Sequence, residues 1–327
     1  MSELSKLREA IYSCKRCASC REWDWYDSSL PGFMEGMTKT GFSICPVYKH
    51  SPGFETDFAR GKVRLARGLL EDSIEINERL KEKAFQCTMC GNCYEHCPGN
   101  RQQKLNPVEV IRALREEILE RGEKAPKGIK DMRSRTISAK ALPETWVPRG
   151  LRNFREGSLG VFLGCMTSGS VSIQSPTIAS SFLETLQSLD IPYQVIDDGW
   201  CCGNPYYWSG QAEVARRYAE ANHRIMKERA LTAVVTTCSG CYAMFKNEYP
   251  TLLQTGLGVP VLHSVELLAQ AASAGRITSG KPIEGKVTYH DPCELGRRSG
   301  LYDEPRVVLR AVAGDRYGEL QQTRENS

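Results

Sequence analysis

The sequence of 327 residues lacks several features that would place it in a common class of protein. No apolar run reaches the roughly 18 residues that a membrane-spanning helix needs, and the polar start, MSELSKLREA, has no apolar region of a secretory signal. Neither sign of charge dominates, because 43 Lys and Arg balance 39 Asp and Glu, so no overall field favours nucleic acid or an anionic membrane. We therefore expect a cytoplasmic protein that reaches the inner face of a membrane only through a partner.

Complete nucleotide-binding motifs are also missing. The segment from Gly275 to Lys281 follows most of a phosphate-binding loop, but Pro282 stands where a magnesium-binding Ser or Thr is required. Gly256 and Gly258 lack the third glycine of a dinucleotide fingerprint. No motif therefore predicts a nicotinamide or flavin site.

Cysteine, by contrast, is abundant. Fourteen cysteines without a signal peptide favour metal or redox ligands in a reducing compartment over disulfides. Eight lie between residues 14 and 97 and six between 165 and 293, with none from 98 to 164. This gap predicts a boundary between two cysteine-containing parts.

The two parts differ in hydrophobic periodicity. The first shows helix-period apolar stripes, such as Val108, Ile111 and Leu114 after the helix start signal Asn106-Pro107. After residue 156, short apolar runs alternate with amphipathic stretches, which predicts a parallel sheet with crossover helices. The predicted strands are 159–164, 193–197, 232–237, 259–262 and 286–290.

The expected fold class is therefore α+β and multi-domain. An α-helical ferredoxin-like domain with two cluster sites is predicted over residues 1–123, followed by a linker over 124–156. An α/β cysteine-rich domain is predicted over 157–280, and an incomplete second copy of it over 281–327.

One cysteine run has the spacing of a bacterial ferredoxin. Spacers of two, two and three residues separate its four cysteines, and a proline follows the last. A second copy is stretched by an insertion over residues 21–44. Because the fourth cysteine of such a run ligates the neighbouring cluster, the pattern predicts two 4Fe–4S cubanes with crossed ligands. These are Cys14, Cys17, Cys20 and Cys97 for one cluster, and Cys87, Cys90, Cys93 and Cys45 for the other. Two zinc ions are the alternative, although zinc sites rarely string three cysteines at this spacing.

A second constellation repeats a spacing of 36 residues. Cys165 precedes Cys201 by that interval, and Cys202 precedes Cys238 by the same interval, with Cys241 three residues later. Each element lies near a predicted strand end, and ligands of parallel sheets bind at the carboxyl ends of strands. The five thiols are therefore expected to converge as iron–sulfur ligands. A thioredoxin-like motif would not need all five, and a single zinc ion is the other alternative.

A third segment repeats the opening of that constellation. Cys293 follows the run KVTYH much as Cys165 follows LGVFLG, so Cys293 is a further candidate metal ligand. The same spacing would place the next cysteine pair at position 329, beyond Ser327. The sequence therefore favours a truncated second copy over a relic cysteine.

At these motifs the chain resembles the heterodisulfide reductase family, in the form that joins an α-helical ferredoxin domain to cysteine-rich CCG domains. It is also similar to the iron–sulfur subunits of glycolate, lactate and anaerobic glycerol-3-phosphate dehydrogenases. The resemblance rests on CTMCGNCYEHCP, on FLGC, WCCGNP and TTCSGCYAMF, and on HDPCELGRRSGLYDEPRVVL. It implies two cubanes in the first domain. It also implies a non-cubane 4Fe–4S centre on the five later cysteines, where heterodisulfide reductases cleave disulfides. A two-centre mechanism would require a second Cys-Cys-Gly, which the given sequence does not contain.

The expected function is that of an iron–sulfur oxidoreductase subunit that passes electrons between the cubanes and the five-cysteine site for thiol–disulfide reduction. Those five cysteines, Cys165, Cys201, Cys202, Cys238 and Cys241, are the expected catalytic residues. The expected partners are a flavoprotein or a membrane cytochrome subunit and a thiol, disulfide or other small-molecule substrate, without nucleic acid. The alternatives are an electron relay for a flavin-dependent dehydrogenase and, from another class, a zinc-stabilised interaction module.

Overall fold

The computed structural model describes residues 2–21, 44–129, 151, 153–155, 158–167, 176–196, 201–278, 283–320 and 322–327. The insertion within 21–44 and most of the predicted linker lie outside these residues. The chain divides into two compact units. Unit 1 comprises Met1–Met132, Tyr207–Gln211 and Asn326, and unit 2 comprises Arg133–Tyr206, Ala212–Glu325 and Ser327. The predicted domain boundaries stay predictions.

Unit 1 is built from helices. Its longest helix begins at Pro107 because the Asn106 side chain accepts hydrogen bonds from the amides of Val108 and Glu109, while proline at the first position needs no amide partner. The helices are α1 (Glu3–Lys6), α2 (Arg8–Tyr12), α3 (Pro46–Lys49), α4 (Ala59–Leu70), α5 (Glu78–Phe85), α6 (Asn92–Glu95), α7 (Pro98–Gln103) and α8 (Pro107–Glu120), with a 3₁₀ turn at Glu55–Asp57.

The apolar faces of these helices form one core. Val63 and Leu69 of α4 pack with Val110 and Leu114 of α8, and all four are buried. The half-buried Cys14 and Cys97 pack against this core. Burial of the helix faces therefore fixes the positions of two cysteines that are distant in sequence.

Unit 2 contains a five-stranded sheet in the order β1-β3-β2-β4-β5. Strands β2 to β5 pair in parallel, and β1 pairs antiparallel with β3. The strands are β1 (Asn153–Phe154), β2 (Leu159–Phe162), β3 (Tyr193–Val195), β4 (Ala233–Thr236) and β5 (Val261–His263). The predicted fold class is confirmed.

Helices follow the strands. They are α9 (Gly164–Thr167), α10 (Pro176–Ser188), α11 (Asn204–Trp208), α12 (Ala212–Glu228), α13 (Ser239–Ala243), α14 (Tyr249–Leu253), α15 (Ser264–Ser273) and α16 (Asp303–Ala313). A π-helical turn, Met244–Glu248, separates α13 from α14, and 3₁₀ turns lie at Gly314–Arg316 and Arg324–Asn326. Core residues such as Val161, Leu183 and Val235 are buried between the sheet and its helices.

Two details of the predicted strands are wrong. Strand β1 lies in a stretch with no strand signal, and the run at 286–290 forms only an isolated bridge between Val287 and Tyr317. A ladder needs an extended partner, but the chain that pairs with Val287 is the end of a 3₁₀ turn, so pairing stops after one residue.

Candidate iron–sulfur sites

Four predicted ligands line one cavity of unit 1, here called cavity 1. They are Cys14, Cys17, Cys20 and Cys97. Cys17 is exposed, whereas the other three are partly buried. The cavity thus brings the first run of three cysteines together with the last cysteine of the second run.

A second cavity of unit 1, cavity 2, gathers the other four. They are Cys45, Cys87, Cys90 and Cys93. All four thiols are partly buried. Each cavity therefore holds three closely spaced cysteines and one Cys-Pro cysteine from the other run, which is the donor set that two cubanes with crossed ligands require.

The two runs of three cysteines have the same backbone conformation. The residue before the second cysteine is left-handed in both runs, at Arg16 (φ 57°) and Met89 (φ 59°). The residue after that cysteine is also left-handed, at Ala18 (φ 67°) and Gly91 (φ 80°). Because the left-handed region is unfavourable for residues other than glycine, its use at Arg16, Ala18 and Met89 indicates that the convergence of the thiols imposes it.

Each Cys-Pro pair begins a helix and directs free amides at its own sulfur. Cys45 is the N-cap of α3, and Cys97 is the N-cap of α7, with proline at the first helical position. The amides that follow act to lower the pKa of the cysteine thiol against the effect of burial, those of Val47 and Tyr48 in α3 and those of Gly99 and Asn100 in α7. Proline has no amide hydrogen, so the first free N–H groups of each helix belong to the residues after it. These N–H groups favour an anionic cysteine sulfur at the N-cap.

Burial opposes deprotonation of these thiols in the absence of a cation. It raises the pKa of Cys20 to about 12, and it also raises the pKa of Cys45, Cys97 and Cys93. A thiol of this kind keeps its proton near neutral pH unless a metal displaces it. The cavities therefore fit a group that carries its own positive charge, as iron does.

Two buried cationic side chains that the sequence did not reveal contact cavity 2 or the backbone of its cysteines. Lys62 of α4 is 1% exposed, lines the cavity and donates from Nζ to the Thr56 carbonyl at 2.8 Å. Burial lowers the pKa of Lys62, while the nearby Cys87 and Cys45 act in the opposite direction. Arg115 of α8, also buried, donates to the Cys87 carbonyl at 2.6 Å. In the sequence, both residues look like ordinary charged residues of a helix, so their burial was not predicted.

In unit 2 the five predicted cysteines form one connected group. Hydrogen bonds join Cys201 to Cys165 and to Cys202, and Cys241 to Cys202 and Cys238. Cys201, Cys202 and Cys241 are buried, and Cys165 and Cys238 are partly buried. The strand-end argument therefore leads to the observed arrangement, although these residues span a long stretch of sequence.

The backbone passes close to the sulfurs of this five-cysteine site at one glycine. Gly164 is left-handed (φ 71°), and a Cβ there would lie 2.8 Å from the Cys241 Sγ. Cys238 is the N-cap of α13. A hydrogen bond from Cys241, helped by the Gly240 and Cys241 amides, lowers the pKa of Cys238 to about 7. Hydrogen bonds from Cys201 and Cys241 also lower the pKa of Cys202.

Two buried polar residues hold the Cys-Cys pair and were missed by sequence reasoning. The Tyr249 hydroxyl donates to the Cys202 carbonyl at 3.0 Å. Asn222 donates from Nδ2 to the Cys201 carbonyl and to the Tyr249 hydroxyl, both at 2.9 Å. The only sequence signal is an asparagine on the apolar face of α12, which gives no clue to its partner.

The segment around Cys293 has its own anchor. Arg306 forms ion pairs with Asp291 and Glu319, and both Arg306 and Asp291 are 2% exposed. The Cys293 carbonyl accepts a hydrogen bond from the Arg298 amide. The ligand role of Cys293 stays a prediction.

Within the described part of the chain, no group of three or more His, Cys, Asp or Glu is arranged to hold a single metal ion. A cubane distributes its protein ligands over four irons, so its thiols stand farther apart than the ligands of one ion. The same described residues include no helix long and apolar enough to cross a membrane.

Comparison with protein families assigns both parts of the chain. A model described as a 4Fe–4S dicluster domain matches residues 10–100. A model described as a cysteine-rich domain, CCG, matches residues 159–246 and 287–327. The expectation of iron–sulfur clusters is thereby confirmed.

Several of the relatives found by sequence belong to oxidoreductases. One subunit of the dihydromethanophenazine:CoB–CoM heterodisulfide reductase of Methanosarcina barkeri is 26% identical over 96% of this chain and 76% of its own length. One subunit of the fumarate reductase (CoM/CoB) of Methanothermobacter marburgensis is 30% identical over 85% of this chain and 55% of its own length. EtfAB:quinone oxidoreductase of Syntrophomonas wolfei is 26% identical over 78% of this chain and 37% of its own length.

No solved structure matches the chain. The two family models cover the two cysteine-containing parts, and the heterodisulfide reductase relatives align with nearly the whole chain. The chain is therefore an iron–sulfur electron-transfer subunit that joins a 4Fe–4S dicluster domain to a cysteine-rich CCG domain and resembles the heterodisulfide reductase protein of Methanosarcina.

Proposed function

We propose that cavities 1 and 2 each hold one 4Fe–4S cubane and that the five-cysteine site holds a third, non-cubane iron–sulfur centre at which a disulfide is reduced. The observation that carries this proposal is the hydrogen-bonded convergence of five cysteine sulfurs in unit 2. A structural zinc site needs at most four thiolates, so a fifth sulfur in the same group favours a larger inorganic centre.

The residues of unit 1 supply what a one-electron carrier needs. When bound, 4Fe–4S clusters accept and release single electrons. The N-cap amides at Cys45 and Cys97 stabilise negative sulfur, and Lys62 and Arg115 bring positive charge to cavity 2 or the backbone of its cysteines. These contacts favour the reduced, more negative state of a cluster in that cavity.

The residues of unit 2 supply a different environment. Cys202 and Cys238 have lowered pKa values because neighbouring thiols and amides donate hydrogen bonds to them. Reduction of a disulfide breaks one S–S bond and consumes two electrons and two protons to give two thiols. The electrons would come from a reduced redox partner of the complex, such as a flavoprotein or a membrane cytochrome subunit, and the protons from water. By analogy with the heterodisulfide reductase relative, the substrate would be the CoB–CoM heterodisulfide or a disulfide like it.

A relay function is the second candidate, because the matched relatives include an EtfAB:quinone oxidoreductase. In that case the chain would pass electrons from a flavoprotein to a quinone-linked acceptor without binding a disulfide.

Metal analysis and turnover test the proposal. We expect anaerobically purified protein to contain iron and acid-labile sulfide, and to catalyse viologen-driven reduction of the CoB–CoM heterodisulfide. Cys202→Ser should abolish this activity while the unit 1 clusters, followed by their visible absorption, are retained. Zinc without sulfide would overturn the whole proposal. Iron and sulfide with electron transfer to a quinone analogue, but with no disulfide reduction, would favour the relay.

A further inference from the structure

A charged cavity of unit 1 has no role in the function proposed above. Its volume is about 500 Å³, and it lies along one side of α4 and the preceding 3₁₀ turn. Four arginines and two glutamates contribute to its lining: Arg16, Arg60, Arg64, Arg67, Glu55 and Glu71. We call it the arginine cavity.

The charges in this cavity do not cancel. Glu55 forms an ion pair with Arg60, and Glu71 forms one with Arg67 at 2.8 Å. The other two arginines, Arg16 and Arg64, are exposed, and their side chains make no hydrogen bond or ion pair with the residues that the structure describes. The cavity therefore presents two positive charges that its own carboxylates leave unpaired.

The arginine cavity adjoins cavity 1. Arg16 and Arg60 line both cavities, and Arg60 donates from Nη1 to the Arg16 carbonyl at 2.7 Å. Among the four cysteines that line cavity 1, Cys17 is the exposed one. A group bound by the two unpaired arginines would thus lie next to the most accessible edge of the proposed cluster, and electron tunnelling falls steeply with distance.

We infer that the arginine cavity is the docking surface for an acidic patch of a protein electron carrier, which exchanges electrons with the cluster in cavity 1. This inference rests on the proposed function. Guanidinium groups pair with carboxylates in bidentate geometry. A lone small anion at exposed arginines gains little because water and salt screen it. Carboxylates on a folded carrier reach both arginines at once, and opposite charges accelerate the encounter.

Electron transfer with two carriers of opposite charge tests this inference. The probes are an acidic flavodoxin as hydroquinone donor, basic cytochrome c as acceptor, and hexacyanoferrate(III) as a small anionic acceptor. For the Arg16→Gln/Arg64→Gln variant at low ionic strength we expect about a tenfold loss in the second-order rate with flavodoxin and a similar rise in its Kd. The rate with cytochrome c should not fall.

Two control variants separate local charge from other effects. Arg224→Gln/Lys227→Gln removes two exposed positive charges from α12 and should leave the flavodoxin rate unchanged. Arg16→Lys/Arg64→Lys keeps the charge and should retain most of the rate. Iron and sulfide are measured first in every variant. Absence of clusters from the wild-type protein would overturn the proposed function and this inference together. With clusters intact, equal flavodoxin rates in the Gln variant and the wild type would overturn the inference alone. So would an effect confined to hexacyanoferrate(III), which would indicate a site for small anions only.

Discussion

The cysteines of unit 1 and unit 2 are held in different electrostatic surroundings. In unit 1, the buried Lys62 lines cavity 2, the buried Arg115 donates to the Cys87 carbonyl, and Arg60 lines cavity 1. In unit 2, the side chains that hold the Cys201-Cys202 backbone are the neutral Asn222 and Tyr249. The units share one feature, since Cys45, Cys97 and Cys238 are each the N-cap of a helix whose first amides act to lower the pKa of the thiol.

This difference matches two kinds of redox work. Nearby positive charge stabilises an added electron, so it suits a site that stores electrons one at a time. A neutral hydrogen-bonded network fixes geometry without adding charge, so it suits a site where sulfur ligands and a substrate must be placed accurately.

The largest effect concerns the ligands of unit 1. Cys97→Ser should remove one whole cluster, a loss of about four irons per chain. If Cys97 shares a cluster with Cys17, then Cys17→Ser/Cys97→Ser loses no more iron than either single variant, whereas Cys90→Ser/Cys97→Ser loses twice as much. The opposite pattern would show that Cys97 ligates the cluster of its own run.

Acidification should affect unit 2 before unit 1. Burial lowers the pKa of His263 to about 4, below its ordinary value of 6.5. Between those values the unfolded chain binds a proton that the folded chain does not, so stability falls as the pH drops from about 6.5 to 4, by about 2 kcal/mol at pH 5. In unit 1, burial raises the pKa of Asp57, but hydrogen bonds from Lys83, Ser51 and Phe54 outweigh burial and hold this pKa below its ordinary value of 3.8. The contribution of Asp57 to the free energy of unfolding is therefore lost only below about pH 3.8.

Hydrogen exchange measured at pH 7 and pH 5 checks this order. Amides of β5 and α15 in unit 2 should lose protection at pH 5, while those of α4 and α8 in unit 1 keep it. His263→Gln should remove the pH dependence in unit 2. Equal loss of protection in both units, or an unchanged profile in the variant, would contradict the assignment to His263.

Much of this arrangement could be predicted from the sequence, because cysteine spacing is a local property. The spacing of Cys87 to Cys97 indicates a ferredoxin-like cluster run, and the strand-end positions of Cys165 and Cys238 indicate convergence in a parallel sheet. The neighbours of the sulfurs could not be predicted. Lys62 follows the helix period of α4 like any charged residue, and its burial depends on how α4 packs.

The same limit applies to short strands and to single buried polar residues. Strand β1 has two residues, too few for an alternating pattern, and the apolar run at 286–290 lacks an extended neighbour. Tertiary packing decides whether these two segments form strands, and this packing cannot be inferred from a single sequence.

A moderate effect is expected from the buried lysine of cavity 2. Lys62→Met keeps the side-chain length but removes the charge, so the reduction potential of the cluster in cavity 2 should fall by tens of millivolts. The Thr56 carbonyl also loses its donor, at a cost of about 1 kcal/mol. Arg64→Met, on the exposed side of the same helix, is the control and should leave this potential unchanged. Redox titration followed by electron paramagnetic resonance measures both, and equal shifts in the two variants would show that Lys62 has no special role.

The smallest effect is expected from Tyr249, and it separates positioning from packing. Tyr249→Phe removes the hydroxyl that donates to the Cys202 carbonyl, at a cost of about 1 kcal/mol of stability. Tyr193→Phe is a matched control, because the Tyr193 hydroxyl is also bonded to a carbonyl, that of Leu151, and Tyr193 belongs to β3. Both variants should lose similar stability. Only Tyr249→Phe should change the electron paramagnetic resonance signature of the five-cysteine site, because only there does the lost bond fix a ligand backbone. An unchanged signature would mean that the Asn222 contact alone holds the Cys201-Cys202 pair, and that the neutral network of unit 2 is less rigid than its geometry suggests.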